Sequence, residues 1–412
     1  MSAKYLPRPI AVLQELFTNR QAHLQVQNPH WVDLLHAWSI DLNRPHAALG
    51  HPLRFHSQRR RLLHALAAGP TALALAACGG GNGGGGGIDT GPGASPVIDR
   101  RVPVAPGVSL EVRDWPATGG GPGAPAIVLL AGLGANAHGF DSLAPALATG
   151  ARVVAVSRRG YGRSDKPLPV TSATQHYEVD TLVSDLKALL DGLGLPRVVL
   201  AGHSIAGNEL TGFAGRFPQQ VQGLVYLDTT FDYSKDADAG GEEPPHNAAL
   251  NEPGPTALDT RSLQAVIAFE RRLFKNWWPA LEANLRHAID LLPDGSVRFN
   301  TPADVAVAMD VASHKFSPDY STVRAPALVV TTLPADHRDV FPWLDAPFGA
   351  RTAQDIVDVL RIFRRVRVND GNKLAAALNT PHHLTLDHCC HGDFLIEREA
   401  DVVRAIQAMA WA

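Results

Sequence analysis

The chain has 412 residues, 45% of them hydrophobic and 19% charged, with 37 Gly, 31 Pro and a net charge of −3. That apolar fraction excludes a disordered polymer, and glycine without a three-residue period excludes a collagen-like one. The near-neutral charge argues against nucleic acid as a partner, and no run of eighteen uninterrupted apolar residues suits a polytopic membrane protein.

Charge is unevenly spread. Residues 1–77 carry eight Lys/Arg against three Asp/Glu, and residues 78–412 carry 29 against 37. Arg59-Arg60-Arg61 precedes a mostly apolar run over residues 62–77 that ends Leu75-Ala76-Ala77-Cys78. A positive segment, a short apolar stretch and small residues before a cleavage point are the parts of a secretory signal, predicted here over 57–77. Leu-Ala-Ala-Cys is similar to the lipobox of bacterial lipoproteins, which implies lipidation of Cys78, and Gln58 to Leu63 is similar to a twin-arginine signal. Glycine then dominates 79–87, interrupted by Asn82. Such a stretch buries nothing, so 78–96 reads as a flexible tether and 97–412 as the folded domain. Residues 1–56 are an N-terminal extension without a recognisable site. The expected location is the bacterial cell envelope, by lipid anchor, or the cytoplasm if the signal is unused.

The remaining cysteines, Cys389 and Cys390, are adjacent. Their Cα atoms must lie about 3.8 Å apart, closer than the usual disulfide span of about 4.4–6.8 Å. No disulfide framework is expected, so the core must hold the fold.

From residue 97 onward, 102–115 is predicted as an antiparallel edge hairpin. Short Val/Leu-rich runs at 126–130, 152–156, 197–201, 221–227 and 327–331 fit strands buried on both faces of a parallel sheet. Val179, Leu182, Val183, Leu186, Leu189 and Leu190 recur at helical spacing before Gly192 and Gly194. Alternation of strands and helices predicts an α/β fold with helices on both faces. The strand signal disappears from about 231 to 323, which predicts a helical insertion, and 397–409 predicts a closing amphipathic helix.

The strand at 197–201 runs into Gly202-His203-Ser204-Ile205-Ala206-Gly207, followed by a helical pattern. Strand, tight small-residue turn and helix is the setting of a nucleophile elbow, which leaves a serine hydroxyl at the strand's carboxyl end. Here the chain resembles the α/β-hydrolase superfamily, specifically its cofactor-free serine hydrolases of the esterase and lactonase kind. The resemblance covers about 105–412. It rests on that elbow, on Leu129 to Asn136 and Ser157 to Asp165 after two strands, on Tyr226-Leu227-Asp228, and on Cys390 to Leu395 before the last helix. It implies a mostly parallel sheet with a helical lid over 231–323.

A serine needs a base. The resemblance favours His391, in the loop before the last helix, with His382, His383 and His388 as neighbours. Together with the two cysteines these histidines could suggest a metal, but their spacing matches no zinc pattern. No metal or cofactor is expected. The base needs a carboxylate to fix its tautomer. Asp228, ending the strand after the elbow, is favoured; Asp336, after the strand at 327–331, is the alternative and Asp339 a third. The resemblance places oxyanion donors at the backbone of Leu133 and Ile205, with Ala131 where many relatives carry His. Arg158, Arg159 and Asp165 are expected to brace that loop.

Trp277, Trp278, Phe269 and Phe274 belong to the expected lid. Apolar lid walls favour an uncharged ester or lactone as the small-molecule partner. A serine nucleophile argues against epoxide hydrolases and haloalkane dehalogenases, which use Asp. Perhydrolase or haloperoxidase, C–C hydrolase and acyltransferase chemistries share the same residues and stay open, as does a non-catalytic binding lipoprotein. Oligomeric state is not readable.

Overall fold

The computed structural model describes residues 97–119, 125–380 and 382–411. The signal, Cys78, the whole tether and the N-terminal extension lie outside the described residues.

The opening hairpin consists of β1 (Ile98–Ala105) and β2 (Val108–Trp115), paired antiparallel. Next come β3 (Ala126–Leu130), α1 (Leu143–Leu147), β4 (Arg152–Ser157), α2 (Val179–Gly192), β5 (Val198–His203), α3 (Ala206–Arg216) and β6 (Val221–Leu227). An insertion comes after β6, made of α4 (Leu263–Glu270), α5 (Pro279–Arg286), β7 (Ile289–Leu291), β8 (Val297–Phe299) and α6 (Ala303–Ser313). The chain then completes the sheet with β9 (Ala327–Leu333), α7 (Ala350–Ala377) and β10 (His383–Asp387), and closes with α8 (Phe394–Glu397) and α9 (Glu399–Gln407).

The sheet order is β1-β2-β4-β3-β5-β6-β9-β10. β2 pairs antiparallel with β4, and every later pair is parallel. Alternate residues explain why each strand reads as a continuous apolar run. Val128, Val154, Leu200 and Leu224 pack against Val183, Leu186 and Leu190 of α2 and against Leu210 and Phe213 of α3. Ile127, Leu129, Val153, Val199 and Val225 face the other way, onto Leu143 and Leu147 of α1 and Val402 and Ile406 of α9. Both faces are therefore core.

Three elements depart from the sequence expectation, the first being β10 at 383–387, where no strand was expected. The insertion is not purely helical, because β7 and β8 form a small antiparallel hairpin. Its strands are three residues long and leave little periodic signal; only the turn at Asp294-Gly295, with Gly295 at φ 84°, marks it. The 28-residue α7 was also not expected. Its buried stripe runs Ile356, Val359, Phe363, Val366, Arg367, Asp370, Leu374, and two charged residues break the apolar pattern.

Candidate active site

Parallel strands put their carboxyl ends on one edge, and the elbow sits there. Ser204 has φ 55°, and its N–H donates to Leu227 O at 3.0 Å. A side chain tolerates this left-handed conformation only where its surroundings enforce it. The small neighbours are required sterically: a Cβ on Gly202 would come within 2.5 Å of Leu210, and one on Gly207 would strike Thr229. Gly132 in the loop after β3 is packed as tightly. A Cβ there would lie 2.9 Å from His203 Nδ1 and 3.3 Å from Ser204 Cβ, so this loop lies directly against the elbow.

His391 Nδ1 lies 2.5 Å from Asp228 Oδ2. Asp228 ends β6 with φ 54° and is fixed from β9, whose Thr332 donates its N–H to Oδ1 at 2.6 Å and its hydroxyl to Oδ2 at 2.7 Å. Arg367 of α7 forms an ion pair with Oδ1 and donates to the Asp228 carbonyl at 3.1 Å. Burial alone would push the Asp228 carboxyl up, but Arg367 and His391 outweigh it and hold it well below the usual carboxylate range. Burial depresses His391, while Asp228 opposes that shift. His203 lies beside it, ring centroids 4.5 Å apart, with Nε2 3.1 Å from the His391 carbonyl. Ser204 Oγ and His391 Nε2 are buried without a hydrogen-bond partner among the described residues.

The other candidates are engaged elsewhere. Asp336 caps the turn at 337–339 by accepting the Arg338 N–H at 2.7 Å, and Asp339 pairs with Lys275 at 2.8 Å. His383 contacts Thr331 Oγ1 at 2.9 Å, and His388 lies in a positive-φ turn. Cys389 donates to Leu386 O at 3.3 Å and Cys390 to Asp393 Oδ1 at 2.6 Å. Asp393 also accepts from Trp278 Nε1 at 3.4 Å and is pushed up to about 6, chiefly by burial.

Leu133 packs with Ile205 in an apolar cluster that includes Tyr161, Tyr177, Tyr233 and, from α6, Val305 and Met309. Arg158 donates to the Ala131 carbonyl at 2.6 Å and pairs with Glu209. Arg159 instead joins Asp185 of α2, and Asp165 joins Arg101 and the Ser109 N–H, so only Arg158 touches the loop after β3. Phe269 and Phe274 are buried.

Sequence reasoning missed Arg367, Thr332 and His203. The last is adjacent to Ser204 and was legible as the residue inside the elbow. The other two carried no motif.

Among the described residues one group has donors close enough for a metal ion: Glu111, His138 and His287. These are already satisfied. His287 Nδ1 is 3.0 Å from Glu111 Oε1, His138 Nδ1 is 3.2 Å from Asp141, and Ser157 and the Arg163 N–H donate to Glu111 Oε2. The two rings stack 3.5 Å apart at 26°. Nearly parallel rings cannot both aim an in-plane lone pair at one ion, so the arrangement is a hydrogen-bonded latch between β2, the turn at 137–140 and the end of α5.

A family model described as the alpha/beta hydrolase fold matches residues 125–310. An uncharacterised protein of Mycobacterium tuberculosis is 35% identical over 103 residues, 25% of this chain and 28% of that protein. Bifunctional epoxide hydrolase 2 of Mus musculus is 32% identical over 131 residues, 32% of this chain and 22% of that protein. The chain thus spans about a quarter of the length of these curated relatives. Among solved structures, E-2-(acetamidomethylene)succinate hydrolase superposes with a TM-score of 0.52 at 19% identity, covering 76% of this chain and 98% of that one.

Proposed function

The chain has the α/β-hydrolase fold, and from that premise we propose that it is a serine hydrolase acting on an uncharged carboxylic ester or lactone. One observation carries the reading: His391 Nδ1 lies 2.5 Å from Asp228 Oδ2, in a site whose serine occupies a positive-φ turn between strand and helix.

In this reading His391, held in one tautomer by Asp228, takes the Ser204 proton at Nε2. Ser204 Oγ attacks the carbonyl, and the alcohol leaves with that proton from the imidazolium. Water, giving its proton to His391 Nε2, then attacks the acyl carbon; the bond to Ser204 Oγ breaks, Oγ takes that proton back, and the carboxylic acid is released. The tetrahedral oxyanion is held by backbone N–H groups of Ile205 and Leu133, which developing charge needs already in place. The apolar cluster around those two residues supports a substrate with an apolar portion, and the insertion is the lid that closes over it. We further propose that the domain is tethered to the envelope through lipidated Cys78.

The test is hydrolysis of a p-nitrophenyl ester chain-length series by the full chain and by Ser204→Ala, with a fluorophosphonate probe in parallel. Turnover and labelling that both vanish in the variant support the assignment. Absence of both from the parent protein points to the non-catalytic alternative. Incorporation of an alkynyl fatty acid, lost in Cys78→Ser, tests the anchor.

A further inference from the structure

We infer that Arg367 is a positioning residue of the acid–base pair: it holds Asp228 ionised and turned toward His391, and its charge sets the acid limit of the site's reactivity. This rests on the serine-hydrolase reading and extends it to a helix outside the 125–310 segment matched by the family model.

The placement comes from how α7 meets the sheet. Gly371 lies one turn beyond Arg367 on the same face, and a Cβ there would strike Thr331 Oγ1 and come within 2.9 Å of His383 Nε2. Only glycine allows the helix this close to β9 and β10. One turn earlier, the same close approach carries Arg367 inward past Phe363 to the end of β6, where it is 1% exposed. A side chain as long as arginine's is rarely buried so fully without a partner. Its partner is Asp228, held twice: the guanidinium pairs with Oδ1 and donates to the backbone carbonyl of the same residue. Both contacts run through Nη2, whose two N–H bonds form a fixed planar fork that the rotating ammonium of lysine does not reproduce.

Each contact has a separate consequence. The carbonyl contact stabilises the strained φ 54° turn that aims the carboxylate. The ion pair keeps the carboxylate charged at full burial, so that Oδ2 stays an acceptor for His391 Nδ1–H. The same positive charge disfavours imidazolium, so a resting His391 remains a neutral base at lower pH than it would without Arg367. The charged and titratable groups around this centre are Asp228 from β6, His203 from β5, Asp370 on α7, Tyr233 and Cys389. Among the described residues, Arg367 is the cation that acts on both Asp228 and His391, and it stays charged throughout the working pH range.

The experiment compares the full chain with Arg367→Met and Arg367→Lys. It reads Ser204 phosphonylation rate and p-nitrophenyl acetate turnover from pH 4 to 9, with thermal unfolding as the control for folding. In Arg367→Met, kcat is expected to fall at least tenfold with KM little changed, and the acid limb to move up by about one pH unit. In Arg367→Lys, where charge remains and the fork is lost, kcat falls while the acid limb stays in place. A folded Arg367→Met with unchanged rate and limb overturns the inference. If that variant does not fold, unchanged kcat in Arg367→Lys overturns it instead. Failure of the parent protein to label strikes the serine reading itself, which separates the two.

Discussion

The Arg158 guanidinium lies 2.7 Å from the Glu209 carboxylate, both side chains buried, and so joins the segment after β4 to the helix that follows Ser204. Arg158 also donates to the Ala131 carbonyl, so one side chain sets the spacing between the two loops that carry the proposed oxyanion donors. Truncating it to Met should lower kcat about ten- to a hundredfold with little change in KM, because an interaction made in the transition state is misplaced. Leaving Glu209 buried without its partner should also cost about 3–5 kcal/mol of stability. Steady-state kinetics and urea unfolding check both.

Asp228→Asn and Asp336→Asn should behave oppositely. The first should lose on the order of 10⁴ in turnover, since an amide cannot fix the imidazole tautomer. The second should leave turnover intact, because Asp336 caps a turn and Asn is as good a cap. Equal losses would break the assignment of the acid.

The pH dependence has a definite sign. Burial lowers the His391 pKa below its ordinary value, and in the proposed reaction the ring must be neutral to accept the Ser204 proton. Activity should therefore persist below pH 6.5 and fall only on the acid side of that value. An acid limb above about 6.5 in kcat/KM would contradict the burial of this ring.

The latch on Glu111 makes a stability prediction. Burial would raise this carboxyl, but hydrogen bonds from His287, the Arg163 N–H and Ser157, with His138 3.8 Å away, outweigh it and depress it strongly. A carboxylate depressed in the folded state contributes stability above its unfolded value of about 4.3, and loses it as pH falls toward the folded value. Glu111→Gln should lower the Tm at pH 7, and the gap from the parent should shrink below about pH 4. A gap independent of pH would mean that packing, not charge, holds the latch.

The fold was legible in the sequence where burial on both sheet faces left uninterrupted apolar runs: β3, β4, β5, β6 and β9 all fall where those runs lie. The tight turn at Ser204 was legible because it is local, fixed by small residues within five positions. His391 and Asp228 needed the resemblance, since nothing in sequence spacing tells Asp228 from Asp336; only the register of β6 beside β9 puts Asp228 against Thr332. Arg367 was illegible in a stronger sense. A charge inside an apolar stripe reads as an interruption, and its counter-charge stands 139 residues earlier in the chain.

The length of α7 gives the molecule a ruler. Its first turns are seated by Ile356 and Val359 against Leu250 and Phe341, and its last by Leu374 against the sheet core. Each residue added to an α-helix rotates the remaining turns by about 100°. A single insertion after Val359 would therefore swing Arg367 and Gly371 together away from the sheet while the first turns kept their seats. Insertions of seven, close to two full turns, would preserve the angle and misplace the reach by about 10 Å. A change in the residue count of this helix would therefore cost the Arg367–Asp228 pairing, even where each inserted side chain fits its place.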